Sequence, residues 1–378
     1  KKRKKKKKKE KKIKKKYSKK KKFKKIKKKY SKKRKINKIK KKKTKKKICF
    51  FLGNTKKREN KKFFFTPIRE NRNFIFFGAI VYSDLITKKI LKIIDGKVDI
   101  VLVDIEKKVR SKNKKISLVN IERSAKDVIK KSKLYIYKAN DLAVTATETL
   151  LFNLFLRDKR GLGGKKILII GIGNIGFKLS IKFVESGSRV YIWSRKKELL
   201  PNFAKTINII KPQGTTSTVK ALKNMPKSLN FFDIIISTAD RKNIIKGNIV
   251  KNLRKKNIFI DVGKGNFDKN AIKILNEKKI DIYRLDTTNS YFSYLENMSL
   301  TEKQYNYNRF KNKLKNFTFV LRGIVGQKDD IVVDDVLKPK KIFGICNGTG
   351  GFFSHNFDEK KNILNKIKIV TNKKLSYD

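Results

Sequence analysis

Short apolar runs alternate along this chain with stretches in which apolar residues recur every three to four positions. The runs are typical of strands buried inside a parallel sheet, and the recurring spacing is typical of amphipathic helices. The alternation predicts an α/β protein in which a smaller α/β domain precedes a doubly wound parallel sheet. The strongest runs lie at 49–53, 73–83, 97–106, 133–138, 167–170, 189–195, 231–240, 257–266 and 279–286.

The most informative stretch joins one of these runs to closely spaced glycines. Residues 167–170 lead directly into Gly171, Gly173 and Gly176, which follow the spacing G-x-G-x-x-G. In a dinucleotide-binding βαβ unit the first glycine permits the tight turn, and the second lets a pyrophosphate approach the backbone. The third allows the helix to pack closely on the strand. Because a helical stretch and a second strand follow, the sequence predicts a Rossmann domain.

The end of the second strand indicates which dinucleotide is bound. NAD-binding units carry an acidic residue about 20 residues after the glycines, where it binds the ribose 2′-hydroxyl. This chain has Ser194, Arg195 and Lys196 instead, and a hydroxyl beside cationic groups suits the 2′-phosphate of NADP. We therefore expect NADP as the cofactor, with NAD less favoured, although basic residues are common throughout the chain. The predicted cofactor contacts are Gly171, Gly173, Asn174, Ile175, Gly176, Ser194, Arg195, Lys196, Thr238, Ala239, Val262 and Gly263.

Charge sets the first part of the chain apart. Residues 1–48 contain 33 lysines and 2 arginines against a single acid, Glu10, in a chain whose net charge is +72. Like charges at nearly every position repel one another and leave little apolar surface to bury, so we expect a disordered tail. Such a tail suits unspecific contact with nucleic acid or an anionic surface, and a low-complexity repeat without function is the alternative. A codon bias toward Lys, Ile, Asn and Phe also explains the basic charge of the rest.

The small numbers of cysteine and histidine residues limit which disulfide and metal sites the chain can form. Two cysteines, Cys49 and Cys346, and one histidine, His355, are too few for a disulfide framework or a metal cluster. We therefore predict no metal site and expect a reducing, cytoplasmic setting. The longest apolar runs are strand-sized, so no membrane span is expected. A glycine-rich segment at 342–353 is predicted to be a loop, with a second phosphate-binding turn as the less favoured alternative.

Taken in order, several segments resemble the NADP-binding domain shared by shikimate dehydrogenases and glutamyl-tRNA reductases. The stretch at 143–154 is similar to the helix that precedes that domain, and 162–176 to its glycine-rich entry. Residues 190–198 are similar to the strand that ends in the NADP clamp, while 233–240 and 257–268 are similar to strand ends that line the cofactor. The resemblance implies a two-domain dehydrogenase that binds its substrate between an N-terminal α/β domain and the NADP-binding domain.

The resemblance also implies a place for the catalytic groups. Shikimate dehydrogenases carry a Lys and an Asp as their catalytic pair, and this Asp belongs to an Asn-Thr-Asp motif before the linker helix. Asn140 and Asp141 lie in a comparable place, with Lys138 upstream, although the triplet is not intact. We predict that Lys138 and Asp141 move the proton, against the alternative of a surface lysine and a helix-capping aspartate. Lys264 is a second candidate, for contact with a substrate phosphate or carboxylate.

These features predict four parts. They are a Lys-rich tail (1–48), a substrate-binding α/β domain (49–140), an NAD(P)-binding Rossmann domain (141–290) and a C-terminal extension that packs back on the first domain (291–378).

The predicted function is an NAD(P)-dependent oxidoreductase acting on a small polar hydroxyl or carbonyl compound, and the alternative is a non-catalytic NAD(P)-binding or sensing protein. Cys49 is predicted to be a buried strand residue rather than the nucleophile that a glutamyl-tRNA reductase needs. The sequence leaves the substrate and the oligomeric state open, with a homodimer as one option.

Overall fold

A computed structural model of the chain describes residues 46–55, 63–109, 118–253, 257–305, 310–371 and 375–377. Most of the predicted tail lies outside these residues, so its disorder and its contact with nucleic acid or anionic surfaces stay predictions. The end of that segment belongs to a strand, because the Lys47 N–H donates to the Asn73 carbonyl (2.8 Å) and the Ile48 N–H to Asp99 Oδ2 (2.7 Å). The first strand therefore begins within the predicted tail, just before its boundary at residue 48.

The first sheet contains parallel strands with an antiparallel edge. Its strands are β1 (Lys47–Gly53), β2 (Phe63–Phe65), β3 (Arg69–Glu70), β4 (Phe74–Val81), β5 (Ile100–Asp104) and β6 (Lys133–Tyr137). They are ordered β2-β4-β1-β5-β6, and β3 also pairs with β4. Strands β4, β1, β5 and β6 run parallel, whereas β2 and β3 run antiparallel to β4. The predicted smaller α/β domain is confirmed.

Two helices, α1 (Asp84–Ile94) and α2 (Ile121–Val128), cover one face of this sheet. Leu52 of β1, Val103 of β5 and Leu91 of α1 belong to one core cluster, and all three side chains are fully buried. Burying a side chain of this size stabilises the fold by about 1.5–3 kcal/mol relative to leaving it exposed. Alternate strand residues thus supply the apolar face that the helices need.

A linking helix, α3 (Ala139–Leu154), leads from the first sheet to the second. The sequence predicts a helix that continues to about Gly161, but the helix ends at Leu154 and turns fill 155–164. Residues 156–160 contain three basic side chains and one acidic one, all exposed, and Leu156 is 79% exposed. Because this segment has no apolar face to bury, nothing holds it in a helix against the sheet.

The second sheet is entirely parallel, with helices between its strands. Its strands are β7 (Lys166–Ile170), β8 (Arg189–Trp193), β9 (Val219–Ala221), β10 (Ile234–Ser237), β11 (Ile258–Asp261) and β12 (Ile282–Arg284). Its helices are α4 (Asn174–Glu185), α5 (Leu200–Ile210), α6 (Gly247–Val250) and α7 (Lys269–Glu277), with a 3₁₀ turn at Lys197–Leu199. The order β12-β11-β10-β7-β8-β9 is that of a doubly wound Rossmann sheet, which confirms the predicted fold class.

The central strand β7 shows why helices lie on both faces. Ile167 and Ile169 belong to a core cluster that includes Phe183 of α4, whereas Leu168 belongs to a second cluster that includes Leu275 of α7. Successive strand side chains point to opposite faces, so a continuous apolar run requires cover on both. This is the property from which the sequence predicts the fold.

The chain divides into two compact units between Thr288 and Asn289. Around and beyond this division lie α8 (Thr288–Tyr305), β13 (Lys311–Leu314), β14 (Phe317–Leu321), β15 (Ile331–Val333), β16 (Lys341–Ile345), α9 (Phe357–Thr371) and β17 (Ser376–Tyr377). The strands form a third sheet in sequential order, with its own buried cluster that includes Phe319, Val333 and Ile342. The sequence did not predict this sheet. The predicted four-part division and the predicted packing of 291–378 on the first domain stay predictions.

One hairpin of the third sheet lacks the usual sequence signal of a turn. The hairpin between β13 and β14 pairs Leu314 with Phe317, and its turn holds Lys315 at a φ of 54°. Hairpin turns with positive φ ordinarily use Asn or Gly, and no Asn-Gly or Asp-Gly pair is present here. In the turn Lys315-Asn316 a lysine takes the positive-φ position, so the sequence shows no hairpin signal here.

A close approach between β1 and β4 gives a stability test of the first sheet. A Cβ atom added to Gly78 would lie 2.1 Å from the Phe51 carbonyl oxygen, whereas one added to Gly214 would meet nothing within 4 Å. We expect Gly78→Ala to lower the free energy of unfolding by about 1–3 kcal/mol or more. Thermal melting followed by circular dichroism should show a lower midpoint for Gly78→Ala and an unchanged or slightly higher one for Gly214→Ala. Equal midpoints would contradict the described pairing of β1 with β4.

Candidate functional site

The glycine turn after β7 brings the start of α4 against the strand. Gly171 has a φ of 99°, which a side chain would strain, and Gly173 immediately precedes α4. A Cβ atom on Gly176 would lie 2.0 Å from the carbonyl oxygen of Gly171. Gly171 and Gly176 are therefore required by the protein itself, because the helix could not otherwise approach the turn.

Gly173 differs from its two neighbours in the motif. A Cβ atom there would meet nothing within 4 Å, so the space above this glycine is open. The first turn of α4 has no acidic side chain and no side-chain cap, which leaves the first N–H groups and the positive end of the helix dipole available. This open position at the N-terminus of a 12-residue helix fits a pyrophosphate, with Asn174 and Ile175 supplying backbone donors.

The ends of two other strands hold the turn in place. The Gly171 N–H donates to the Trp193 carbonyl at the end of β8 (2.8 Å), and the Thr238 hydroxyl after β10 donates to the Gly171 carbonyl (2.5 Å). A Cβ atom on Gly171 would lie 2.9 Å from the backbone nitrogen of Ala239. The predicted contacts Thr238 and Ala239 therefore lie at the turn, where they position it directly.

The basic end of β8 lies beside the turn, and the predicted contact of its side chains with a cofactor stays a prediction. Ser194 is half-buried, while Arg195 and Lys196 are exposed. The Arg195 guanidinium lies 3.9 Å from Asp240 Oδ1, and the two side chains are 51% and 69% exposed. Asp240 is not among the predicted site residues, although it directly follows Ala239 in the segment that resembles a cofactor-lining strand end.

The loop after β11 completes this edge of the sheet. The N–H groups of Val262 and Gly263 both donate to the Ser237 carbonyl (2.9 and 3.0 Å), and a Cβ atom on Gly263 would lie 2.1 Å from the Ala239 carbonyl oxygen. Asp261 Oδ2 accepts the Gly265 N–H (2.6 Å). The other carboxylate oxygen of Asp261 is buried and has no hydrogen-bond partner among the described residues. Val262 and Gly263 thus lie at the carboxyl edge of the second sheet, and their contact with a cofactor stays a prediction.

Charged groups from both sheets meet near the end of β12. The Asp286 carboxylate accepts the N–H and the hydroxyl of Thr288 (2.9 and 2.6 Å). The Thr288 hydroxyl is the main reason that the pKa of Asp286 lies below its ordinary value, and the positive charges of Arg69 and Lys264 lower it further. Arg69 belongs to β3 and Lys264 to the loop after β11, where its φ is 61°. Cations of the first and second sheets therefore act on one carboxylate.

The predicted catalytic residues lie close in sequence, but the structure gives them different surroundings. Lys138 is exposed at the end of β6, immediately before α3, and its side chain does not cap the helix. Asp141 in the first turn of α3 forms an ion pair with Lys178 of α4. A second pair, Lys182 with Glu148 (2.9 Å), links the same two helices. Asp141 therefore helps to join α3 to the helix that begins at the glycine turn.

A buried charged cluster at the end of β5 was not predicted. Lys108 Nζ lies 3.0 Å from Asp104 Oδ2 and 2.6 Å from Glu106 Oε2, and the Asp104 side chain is fully buried. Burial raises the pKa of Asp104, while the positive charge of Lys108 acts in the opposite direction. Glu106 accepts the Asn140 N–H (3.0 Å), so the cluster holds the start of α3. An acid ending the apolar run at 97–106 was the available signal.

Cys49, the metal-binding residue types and the helix lengths also bear on the predictions from the sequence. Burial in β1 raises the pKa of the Cys49 thiol well above its ordinary value, and the charge of Asp99 adds to the effect, which is unfavourable for a nucleophilic thiolate. The described residues contain no group of three His, Cys, Asp or Glu side chains placed to hold a metal ion. None of the described helices is both long enough and apolar enough to cross a membrane.

The glycine-rich segment after β16 is a loop held by its own side chain. Asn347 Oδ1 accepts the N–H groups of Thr349 (2.9 Å) and Gly351 (3.1 Å), and Cys346 forms an isolated bridge with Phe352. Backbone donors that a phosphate would need are already bonded to Asn347. The interpretation as a loop is therefore favoured over a second phosphate-binding turn.

A family of known proteins matches the part of the chain that contains the glycine turn. The family profile of shikimate / quinate 5-dehydrogenase matches residues 154–320, which include the glycine turn and all of the second sheet. No curated protein sequence matches the chain. The family match overlaps the stretch in which the sequence resembles such dehydrogenases and extends beyond it.

Several solved structures share part of the architecture at low identity. L-tryptophan dehydrogenase from Nostoc punctiforme is 15% identical, covering 55% of this chain and 57% of that chain, with a TM-score of 0.36. A shikimate dehydrogenase in complex with NADP+ is 13% identical, covering 64% and 84%, with a TM-score of 0.33. A D-isomer specific 2-hydroxyacid dehydrogenase family protein from Aeromonas salmonicida is 12% identical, covering 63% and 82%, with a TM-score of 0.29.

The assignment rests on the family match together with the fold and the glycine turn. A match to residues 154–320 shows the type of this segment, and the all-parallel sheet with its open turn at Gly173 has the form that such a domain needs. We conclude that the second sheet and its helices form a nucleotide-binding domain of the shikimate / quinate 5-dehydrogenase type, and that the chain is an NAD(P)-dependent dehydrogenase.

Proposed function

We propose that this dehydrogenase uses NADP in preference to NAD and acts on a small polar hydroxyl or carbonyl compound bound between the first and second sheets. The observation that carries the proposal is the open turn at Gly173, at the uncapped N-terminus of α4. The turn lies next to a strand end that carries Ser194 and Arg195 in place of an acid. A pyrophosphate at the turn would therefore have cationic groups on the ribose side.

The preference for NADP follows from charge. A 2′-phosphate adds negative charge, and the exposed Arg195 and Lys196 lie where it would arrive. Two further predicted contacts, Thr238 and Ala239, lie against Gly171 and hold the turn beside the end of β10. When bound, the nicotinamide supplies or accepts the hydride that interconverts an alcohol and a carbonyl.

The transfer also requires a group that moves a proton to or from the substrate oxygen. We assign this role to Lys138, whose Nζ has no ion-pair or hydrogen-bond partner among the described residues. Lys138 directly follows β6 at the carboxyl edge of the first sheet. Lys108, at the same edge, is bound to two carboxylates and serves to hold α3. Asp141 positions Lys178 and α4, and Lys264 lies among the charges near Asp286, where it would contact a polar substrate.

The pairing of Asp141 with Lys178 favours one alternative. If Lys138, without Asp141 as its partner, moves no proton to or from the substrate, the chain would bind NAD(P) without turnover. This is the non-catalytic binding or sensing protein that the sequence also allows. Activity measurements on Lys138 variants separate it from the proposed enzyme.

Binding is tested with the chain's single tryptophan, Trp193, which ends β8 beside the proposed cofactor site. Reduced nicotinamide absorbs where tryptophan emits, so NADPH binding should quench Trp193 by energy transfer. We expect Gly173→Ala to raise the Kd for NADPH by about tenfold or more, because its methyl group would fill the space of the pyrophosphate. The fold should tolerate the change, since no protein atom lies within 4 Å of that methyl position.

Gly214→Ala is the matched control, because its Cβ position is equally open and it lies in a turn beyond α5. It should bind NADPH as the wild type does. Equal Kd values for NADPH in the wild type, Gly173→Ala and Gly214→Ala would contradict the proposed position of the pyrophosphate at the turn. Absence of quenching by both NADPH and NADH in the wild type would overturn the proposed function.

Turnover is tested by screening small hydroxy and oxo compounds for NADPH oxidation or NADP+ reduction. For a compound that is turned over, Lys138→Ala should lower kcat by about 100-fold or more without a matching loss of NADPH binding, because a proton-transfer group is removed. Lys92→Ala, an exposed lysine of α1, should leave kcat unchanged. A Lys138→Ala protein with full kcat would show that another group moves the proton. Dinucleotide binding with no turnover of any compound would favour the sensing alternative.

A further inference from the structure

An acidic side chain stands opposite the residue proposed to hold the 2′-phosphate. Asp240 Oδ1 lies 3.9 Å from the Arg195 guanidinium, and both side chains are more than half exposed. An exposed ion pair of this length contributes little to stability. Its position matters more, because Arg195 follows β8 and Asp240 follows β10, on either side of the strand that leads into the glycine turn.

The proximity of the two residues is set by the backbone rather than by side-chain rotamers. The carbonyl of Trp193, two residues before Arg195, accepts the N–H of Gly171 at 2.8 Å. The backbone nitrogen of Ala239, the residue before Asp240, lies 2.9 Å from the Cβ position of Gly171. Because the Thr238 hydroxyl also donates to the Gly171 carbonyl, both strand ends are held beside the same glycine, and a dinucleotide that extends from the turn toward Arg195 would also approach Asp240.

This arrangement has opposite effects on the two dinucleotides. A 2′-phosphate would gain the attraction of Arg195 but would also meet the carboxylate of Asp240, which repels it and competes for the same guanidinium. A 2′-hydroxyl carries no charge, and a carboxylate can accept its hydrogen bond, as acids do in NAD-binding units. The acid that is missing from the end of β8 therefore has a counterpart supplied by the end of β10.

We propose that Asp240 is a specificity-determining residue that reduces the preference for NADP(H) over NAD(H) set by Arg195. The inference rests on the proposed function, because it requires a dinucleotide at the glycine turn. The wild type then binds both dinucleotides, with NADPH favoured by a margin smaller than Arg195 alone would give. Neutralising Asp240 widens that margin.

The test compares Kd values for NADPH and NADH, both measured by Trp193 quenching at low ionic strength. We expect Asp240→Asn to lower the Kd for NADPH by about threefold to tenfold, and to leave the Kd for NADH unchanged or raised. Because exposed charges are screened by salt, the gain for NADPH should shrink as salt is added. Arg195→Gln should raise the Kd for NADPH, and adding Asp240→Asn to it should recover less than the same change does in the wild type.

Glu185→Gln is the charge-matched control, since Glu185 is exposed at the far end of α4 from the turn. It removes the same charge as Asp240→Asn and should leave both Kd values unchanged. An NADPH-to-NADH ratio that is the same in Asp240→Asn, Glu185→Gln and the wild type would overturn the inference while leaving the proposed function intact. If neither dinucleotide quenches the wild type, the proposed function itself fails, and that result is distinct from an unchanged ratio.

Discussion

The organisation of the site depends on how closely four pieces of backbone approach one another at Gly171. The Gly171 N–H donates to the Trp193 carbonyl at the end of β8, and the Gly171 carbonyl accepts the Thr238 hydroxyl after β10. Because Gly171 has no side chain, Ala239 can pack directly against it. A Cβ atom on Gly176 would lie only 2.0 Å from the same carbonyl oxygen, so the start of α4 packs directly against the Gly171 carbonyl as well. A side chain at either glycine would separate the strands and helix that form the edge on which a dinucleotide binds.

This close packing places particular charges around the turn. The uncapped N-terminus of α4 and the basic end of β8 favour the phosphates of a dinucleotide. The acid after β10 opposes that preference at one position, beside Arg195. On the other side, Arg69 and Lys264 act on Asp286, and the buried cluster of Lys108 holds the helix that connects the two sheets. In the proposed function, cofactor choice and substrate contact therefore depend on neighbouring but separate groups.

The sequence predicts those parts of the fold in which pattern and packing coincide. The run at 167–170 needs cover on both faces, so it predicts the doubly wound sheet, and Gly171 and Gly176 are recognisable because sterics demand them. Where side-chain chemistry is ambiguous, prediction fails: in the turn Lys315-Asn316 a lysine takes the positive-φ position that ordinarily takes Asn or Gly, so the hairpin of β13 and β14 lacks its usual signal. Asp240 follows a different strand from Arg195, and only the fold brings the two together. Lys178, the ion-pair partner of Asp141, also lies on a different helix, and only the fold brings these two residues together.

The central claim is that the turn at Gly173 binds the pyrophosphate of NADP. A crystal structure of the wild-type chain with NADP+ tests it most directly. The account predicts phosphate oxygens within hydrogen-bond distance of the backbone N–H groups of Asn174 and Ile175, and a 2′-phosphate beside Arg195. A dinucleotide bound elsewhere, or a turn at Gly173 left empty at saturating NADP+, would contradict it.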